Sequence, residues 1–291
     1  MDKTSGNKQD KIYWHEAFFS AIQLELHEYA DMLTFEAERK LSEEALIMDL
    51  LVIKKKPDAV VGKNIGRIFK EHNIFEYKSE SDYLSVWDYN KAVLGYAGIY
   101  SSFEKALVEQ ITVSFVVTAK PIKLFEYLQS TRNLVIDEAS PGVYRVLGDV
   151  FPVQVIESKK LSGDENIFLR NLRSNLTHKD MQGLLKVYGK HGPITLKSVY
   201  LDRVINANRF IFEEVIDKMN ADVKDAMFEY FEKKGLLDEI KEKVKQEGIL
   251  AGKQETVVEM LKNGFVLEDI AKIIKMPTEW VQNVANQTVV Q

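Results

Sequence analysis

A nearly unbroken apolar run at residues 45–53, interrupted by one carboxylate, limits the folds open to this chain. The run reads Ala-Leu-Ile-Met-Asp-Leu-Leu-Val-Ile, and its acid is Asp49. Apolar residues at consecutive positions are typical of a strand that is covered on both faces of its sheet. An ionised carboxylate is costly in such a place unless it is paired, protonated or bound to a metal. The run therefore predicts a buried strand in which Asp49 has a special role.

A second segment, residues 72–78, places an acid and a lysine two positions apart. The period of two of a strand puts Glu76 and Lys78 on one face, and Phe75 and Tyr77 on the other. With Asp49 on a neighbouring strand, these residues could hold a hard cation and activate water beside a phosphate. Oxygen ligands without His or Cys favour Mg²⁺ or Mn²⁺ over zinc. The alternative interpretation is a surface Glu76–Lys78 pair on an edge strand, with Asp49 at a bulge or strand end.

Composition excludes several classes of protein. The absence of cysteine excludes disulfides, thiolate zinc sites and cysteine nucleophiles, and a reducing cytoplasm is the expected location. No run approaches the roughly 18 apolar residues of a membrane span, and the N-terminus lacks the apolar core of a secretion signal. The net charge of −5 argues against a protein that coats nucleic acid by bulk electrostatics.

One segment is locally basic despite the net negative charge of the chain, and such a segment is compatible with DNA binding. Residues 159–197 carry eight basic and three acidic residues, a local charge of +5, and include Arg170 and Arg173. We take these two arginines as candidate DNA contacts. The alternative is that the segment is a solvated helix face.

The apolar periodicity predicts an α/β protein with a mixed sheet and a mostly helical C-terminal part. A crossover helix between the third and fourth strands implies a parallel pair. We expect a core at 8–160, a helical domain at 161–247 and a small helical tail at 248–291. The predicted strands are 33–39, 45–54, 72–78, 111–118, 133–137, 143–147 and 153–157. The predicted helices are 12–31, 85–105 (with Ser81 and Asp82 as caps), 121–130, 164–175, 179–188, 194–206 and 209–219.

An Asp on the second strand, a Glu-x-Lys on the third and a helix before them resemble the PD-(D/E)xK nuclease superfamily. The segment HNIFEYKSESDYLSVWDYNKAVLGYA resembles the transposase-linked branch that is related to the recombination-promoting nucleases. The resemblance covers about residues 12–160, and Met48 stands where the name-giving pattern has Pro. It implies a restriction-endonuclease-like core and a DNA endonuclease linked to recombination or mobile elements. Asp49 and Glu76 would bind Mg²⁺ or Mn²⁺, and Lys78 would assist the attack of water.

The resemblance also implies further site residues. An acid of the first helix would complete the metal site, with Glu16 as first candidate and Glu25 and Glu28 as alternatives. Lys91, on the helix after Lys78, would contact a phosphate. The aromatic residues of that helix are predicted to pack in the core rather than to stack on bases; they are Tyr83, Trp87, Tyr89 and Tyr96.

The C-terminal segment EDIAKIIKMPTEWVQNV resembles a helix-turn-helix, with Ile270, Ala271, Ile274 and Val281 as core positions. Lys275 stands where that motif favours a glycine, which adopts a left-handed backbone more readily. The second helix carries one charge, Glu279, and no base. A helical hairpin for self-association is therefore the alternative to a DNA reader.

Two function classes follow from these patterns. The first is a metal-dependent DNA endonuclease, and the retention of Asp49, Glu76 and Lys78 favours it. The second is a catalytically inactive nuclease-like module for DNA binding or assembly. A small-molecule enzyme is disfavoured, because the chain lacks a phosphate-cradling glycine loop, a metal-binding histidine pair and a serine elbow. The expected partner is DNA, without a membrane, and a homodimer is left open.

Overall fold

A computed structural model describes residues 7–37, 51–188, 194–216, 218–219, 253–254, 256–261 and 263–289. The chain divides into two compact units, Met1–Val223 and Lys224–Gln291. The helices between residues 161 and 216, which the sequence predicts as a separate domain, belong to the first unit together with the sheet. No helix among the described residues combines the length and apolar character that crossing a membrane requires.

The first unit is built on a seven-stranded mixed sheet of strand order β1-β2-β3-β4-β7-β6-β5. The first three strands form an antiparallel meander, β4 is parallel to β3, and β7 is parallel to β4. The predicted α/β class and the predicted parallel pair are therefore confirmed. The strands are β1 Leu33–Ala37, β2 Leu51–Lys55, β3 His72–Tyr77, β4 Ile111–Val117, β5 Val135–Ser140, β6 Val143–Leu147 and β7 Val153–Glu157.

The apolar runs of the sequence form the centre of this sheet. All seven residues of β4 are buried, and its five apolar members supply large or β-branched side chains to both faces. In β2 the first three residues, Leu51, Val52 and Ile53, are buried. The predicted strand at 45–54 is thus confirmed in its last part. Its first part, 45–50, lies outside the described residues, and so does Asp49.

Helices cover both faces of the sheet. On one face α2, α3 and α4 pack in a common core with β3 and β4, where Tyr89 stacks on Phe115 with ring centres 5.4 Å apart. On the other face α1 packs on β3, where Phe18 stacks on Tyr77 at 4.8 Å, and on α7. The described helices of this unit are α1 Asn7–Glu25, α2 Val86–Asn90, α3 Ala97–Glu104, α4 Ile122–Ser130, α5 Ile167–Arg170, α6 His178–Tyr188, α7 Ile194–Ala207 and α8 Arg209–Ile216.

The predicted helix 85–105 is present, but its cap is not the predicted one. Ser85 is the N-cap of α2, and it forms a capping box with Asp88. Ser81 and Asp82 instead lie in the turn before the helix, where Ser79 bonds to both of them. A π-helical turn, Lys91–Tyr96, joins α2 to α3.

The predicted helix 164–175 is wrong for most of its length. Only α5, four residues long, is helical there. Asn166 and Asn171 are buried, and Asn175 has a left-handed backbone with φ 58°. Asparagine side chains bond readily to nearby backbone and tolerate this conformation, so the segment forms turns in place of a continuous helix.

The edge strand β5 differs in character from the central strands. Four of its six residues are exposed, among them Asp137 and Glu138. Its pairing with β6 shifts register between Glu138 and Ser140, which is a β-bulge. This edge of the sheet is therefore charged and irregular.

The second unit contains a small helical hairpin. Residues 256–261 are helical, and α9, Leu267–Ile274, is followed by α10, Thr278–Val289. The predicted core positions are confirmed, since Ile270, Ala271, Ile274 and Val281 are all buried in one cluster. Lys275 ends α9 in the left-handed conformation, with φ 54° and ψ 54°, so a lysine occupies the turn position that favours glycine.

Candidate active site

The centre of the candidate site is the pair Glu76 and Lys78 at the C-terminal end of β3. The backbone N–H of Lys78 donates to the carbonyl of Val116 at 2.9 Å, so the extended pairing with β4 continues through residue 78. Strand alternation then places both side chains on one face. Lys78 Nζ lies 3.0 Å from Glu76 Oε1, and the two side chains are 11% and 14% exposed. The predicted shared face of Glu76 and Lys78 is therefore observed, whereas the convergence of Asp49 with them stays a prediction, because Asp49 lies outside the described residues.

A third residue, Asp88, completes the cluster. Lys78 Nζ donates to Asp88 Oδ1 at 2.8 Å. The other carboxylate oxygen, Oδ2, accepts the backbone N–H of Ser85 at 3.0 Å and its hydroxyl at 2.6 Å. The capping box thus fixes the Asp88 carboxylate so that one oxygen serves the helix end and the other holds the lysine.

Burial and charge set the protonation of this cluster. Burial raises the pKa of Glu76, and the charge of Lys78 opposes this only in part. Burial acts to lower the pKa of Lys78, but the charge of Glu76 and the hydrogen bonds to Asp88 and Glu76 outweigh it, so the pKa is raised. The pKa of Asp88 is lowered, because its bonds to Lys78 and Ser85 outweigh burial. Lys78 is therefore held as an ammonium between two carboxylates.

One oxygen of this cluster lacks a hydrogen-bond partner in the part of the chain that the structure describes. Glu76 Oε2 is buried and has no hydrogen-bond partner among the described residues. A buried, unsatisfied carboxylate oxygen is costly in a protein interior unless a ligand or ion satisfies it. A hard divalent cation prefers this kind of donor. Glu76 therefore fits the role of a metal ligand. Among the described residues no group of three His, Asp or Glu side chains could hold a metal ion, and Asp49 lies outside them.

The structure places the three candidate acids of the first helix differently. Glu16 is exposed on α1, the helix that covers the face of the sheet opposite Glu76. Glu28 is exposed in the 3₁₀ turn His27–Met32, beyond the end of α1. Glu25 is buried, and its carboxylate is ion-paired with Lys63 at 2.8 Å. None of the three is brought to Glu76 in the arrangement described.

Lys91, the predicted phosphate contact, lies close to the cluster. Its side chain is exposed at the end of α2, and its Nζ is 5.0 Å from the centre of the Tyr96 ring. A hydrogen bond to Tyr96 raises the pKa of Lys91, and the charge of Glu76 adds to this. Lys91 therefore presents a positive charge to solvent within electrostatic range of Glu76.

Arg170 and Arg173 are placed elsewhere. Arg173 pairs with Asp180 at 2.9 Å, and Arg170 donates to the carbonyls of Leu161 and Lys159 at 2.5 and 3.1 Å. The hydroxyl of Tyr77, on the face of β3 opposite Glu76, reaches the carbonyl of Leu172 between them. Both guanidinium groups thus have bonds that hold the 159–180 segment together, and they lie on the other face of the sheet.

Sequence reasoning missed Asp88 as a member of the cluster. The available signal was Ser-x-x-Asp at residues 85–88, a capping motif that fixes the start of the helix. No family model, no curated protein and no solved structure matches this chain. The function is therefore inferred from the arrangement of the side chains.

Proposed function

We propose that this chain is a metal-dependent DNA endonuclease with a PD-(D/E)xK site on a restriction-endonuclease-like core. The observation that carries the proposal is Glu76 Oε2, a buried carboxylate oxygen without a hydrogen-bond partner among the described residues, beside an ammonium held by two acids. Glu25 Oε2 also has no hydrogen bond among the described residues, but it lies 2.8 Å from Lys63 Nζ. Glu76 Oε2 is a buried acceptor at the end of parallel strands, where a cation could use it.

The order of elements supports the proposal. The chain runs helix, three antiparallel strands, helix, and a fourth strand parallel to the third. This is the order that the sequence resemblance implies for the nuclease core. Glu76 and Lys78 stand at the C-terminal ends of the parallel strands, where open α/β sheets bind their ligands.

In the proposed mechanism Glu76 and, as the sequence predicts, Asp49 would hold Mg²⁺ or Mn²⁺. The bound cation would lower the pKa of a water molecule and neutralise charge on the phosphate. Lys78 would donate a hydrogen bond to a phosphate oxygen as negative charge develops on it, and Asp88 would keep the ammonium in place. Lys91 would bind a neighbouring phosphate of the same strand.

The test is nicking of supercoiled plasmid with Mg²⁺ or Mn²⁺ by the wild type and by Lys78→Ala. We expect the variant to lose roughly 10²- to 10³-fold in rate, the usual effect of removing one group that stabilises transition-state charge. The matched control is Lys54→Ala. Lys54 also bridges two acids, Glu36 at 3.1 Å and Glu104 at 3.2 Å, but it lies at the opposite end of its strand pair.

Cleavage that survives Lys78→Ala, or that falls equally in Lys54→Ala, would contradict the proposed site. A wild type that binds DNA but cuts under neither metal would favour the inactive binding or assembly module. The paired variants also expose a contaminating nuclease, because its activity would be the same in both preparations.

A further inference from the structure

Trp87 is an exposed tryptophan at the border of the candidate site. Trp87 is 81% exposed, the highest value among the large hydrophobic residues that the structure describes. It directly precedes Asp88, whose carboxylate holds Lys78 at 2.8 Å. The other aromatic residues of this helix are used differently, since Tyr89 and Tyr96 are buried. The prediction that the aromatic residues of this segment pack in the core is therefore confirmed for Tyr89 and Tyr96 and wrong for Trp87 and Tyr83.

Two exposed lysines lie near the exposed aromatic residues. Lys91 follows Trp87 by four residues, and its backbone N–H bonds to the carbonyl of Trp87, so both side chains lie on one face of the helix. Tyr83, 53% exposed, precedes the helix, and its hydroxyl accepts the backbone N–H of the exposed Lys123 at 3.2 Å. Lys91 is therefore the cation that shares a face with Trp87, and the backbone of Lys123 contacts Tyr83.

This pairing is what a strand with unpaired bases requires. Lysines bind its phosphates, and aromatic rings stack on its bases. Bases within a duplex have both faces covered by their neighbours and offer no free face to an indole. Pairing with lysines reduces the repulsion between a phosphate and two nearby carboxylates: Asp88 is paired with Lys78, and Glu80 with Lys159 at 2.7 Å.

We propose that Trp87 stacks on an unpaired base next to the cleaved phosphate, so that the substrate is DNA with unpaired nucleotides. This inference rests on the proposed nuclease function and narrows its substrate class. Lys91 would hold the phosphate that joins the stacked nucleotide to the one at Glu76. Trp87 is thus assigned to substrate selection, and Glu76 and Lys78 to cleavage.

The test compares binding of a labelled single strand of about 12 nucleotides with binding of its blunt duplex by the full chain in EDTA, by fluorescence anisotropy. We expect Trp87→Ala to weaken single-strand binding by roughly 5- to 150-fold, the range for loss of one stacked base. Trp87→Phe should retain binding within about threefold, because a phenyl ring still stacks. Duplex binding should change by less than about twofold in either variant, since no base stacks there.

Phe210→Ala is the matched control, because Phe210 is also an exposed aromatic residue, 70% exposed on α8. It should leave both affinities unchanged. Trp87 fluorescence provides an independent readout: single strand should quench the wild type, and Trp87→Phe should lose that part of the quenching while it keeps the affinity.

Three results would overturn the inference. Equal single-strand affinity of Trp87→Ala and wild type, with nicking still dependent on Lys78, would leave the nuclease proposal in place and remove the role of Trp87. A Trp87→Ala variant with unchanged DNA binding but altered self-association would show instead that the indole contacts a second copy of the chain. Absence of binding to both probes at low salt would end this inference, whereas the nicking assay with Lys78→Ala decides the nuclease proposal separately.

Discussion

Two glutamates of this chain, Glu25 and Glu76, differ in the partners of their carboxylates. Glu25 Oε1 accepts the backbone N–H groups of Phe168 and Leu169, and Glu25 Oε2, which has no hydrogen bond among the described residues, lies 2.8 Å from Lys63 Nζ. Glu76 bonds only to Lys78, and its second oxygen has no partner among the described residues. The first arrangement holds elements together, whereas the second keeps an acceptor available for a ligand.

The raised pKa of Glu76 makes a prediction about stability. Because burial favours its protonated form, the contribution of Glu76 to wild-type stability should fall as the pH rises from the ordinary glutamate value of 4.5 through the raised pKa. Glu76→Gln removes this titration, so the variant should be the more stable at neutral pH, and its advantage should vanish in acid. Cleavage should be lost in the same variant, as is common where a site carries a destabilising charge.

Urea denaturation of both proteins between pH 4 and pH 8 measures this difference. Glu109→Gln, at an exposed position, is the control and should give a flat difference. If the Glu76→Gln protein is instead less stable than the wild type at pH 7, the ion pair with Lys78 stabilises the fold by more than the burial of the ionised Glu76 carboxylate destabilises it. That result would argue for a structural pair.

At the scale of elements, the start of α2 positions the site. Ser85→Ala removes the cap and should lower the free energy of unfolding by about 1 kcal/mol. It should also reduce cleavage, because Asp88 loses the bonds that aim its other oxygen at Lys78. Ser85→Thr, which preserves the hydroxyl, should restore both properties.

Ser81→Ala is the control for this prediction, since Ser81 precedes the helix without capping it. Cleavage should be compared well below the melting temperature, so that global unfolding does not contribute. If Ser85→Ala is destabilised but cuts at the wild-type rate, Asp88 does not position Lys78.

The elements differ in how well the sequence predicts them. β4 and β3 follow from their apolar runs and from the period of two, and with them the shared face of Glu76 and Lys78. Asp88 could not be assigned to the site, because its contact with Lys78 depends on how α2 packs on the sheet. The sequence predicts a longer helix around α5 because the apolar residues there have helical spacing. The turn preference of the asparagines in this segment opposes that helix.

At the scale of the first unit, Glu25 joins parts of the chain that are far apart in sequence. Its contacts to Phe168 and Leu169 span 143 and 144 residues and link the end of α1 to α5. Glu25→Ala would leave two backbone N–H groups without their acceptor and Lys63 without its carboxylate, although the bond of Lys63 to the backbone carbonyl of residue 25 would remain. We expect a loss of about 3 kcal/mol in the free energy of unfolding, as for other broken buried pairs.

Denaturation in urea measures this loss, and Glu28→Ala, at an exposed position three residues later, should stay within about 0.5 kcal/mol of the wild type. The pair of variants also separates two candidate acids of the metal site. A stable Glu25→Ala protein that has lost only cleavage would assign Glu25 to chemistry rather than to folding.

The sequence did not predict which strands are neighbours beyond β4. In the order β4-β7-β6-β5 the last strand in sequence, β7, pairs with β4 near the centre of the sheet. Such pairing depends on packing between segments that are distant in sequence. The helices after residue 161 likewise belong to the unit of the sheet, where α7 packs on α1. No local sequence pattern predicts this contact between the two helices.

The bulged, acidic strand β5 has a consequence for how copies of this protein behave at high concentration. An open sheet invites another chain to extend it by a further strand, which is a common route to aggregation. Here an incoming backbone would meet two carboxylates and an interrupted ladder of donors and acceptors. That border resists such growth, so any pairing of copies would have to use a different surface.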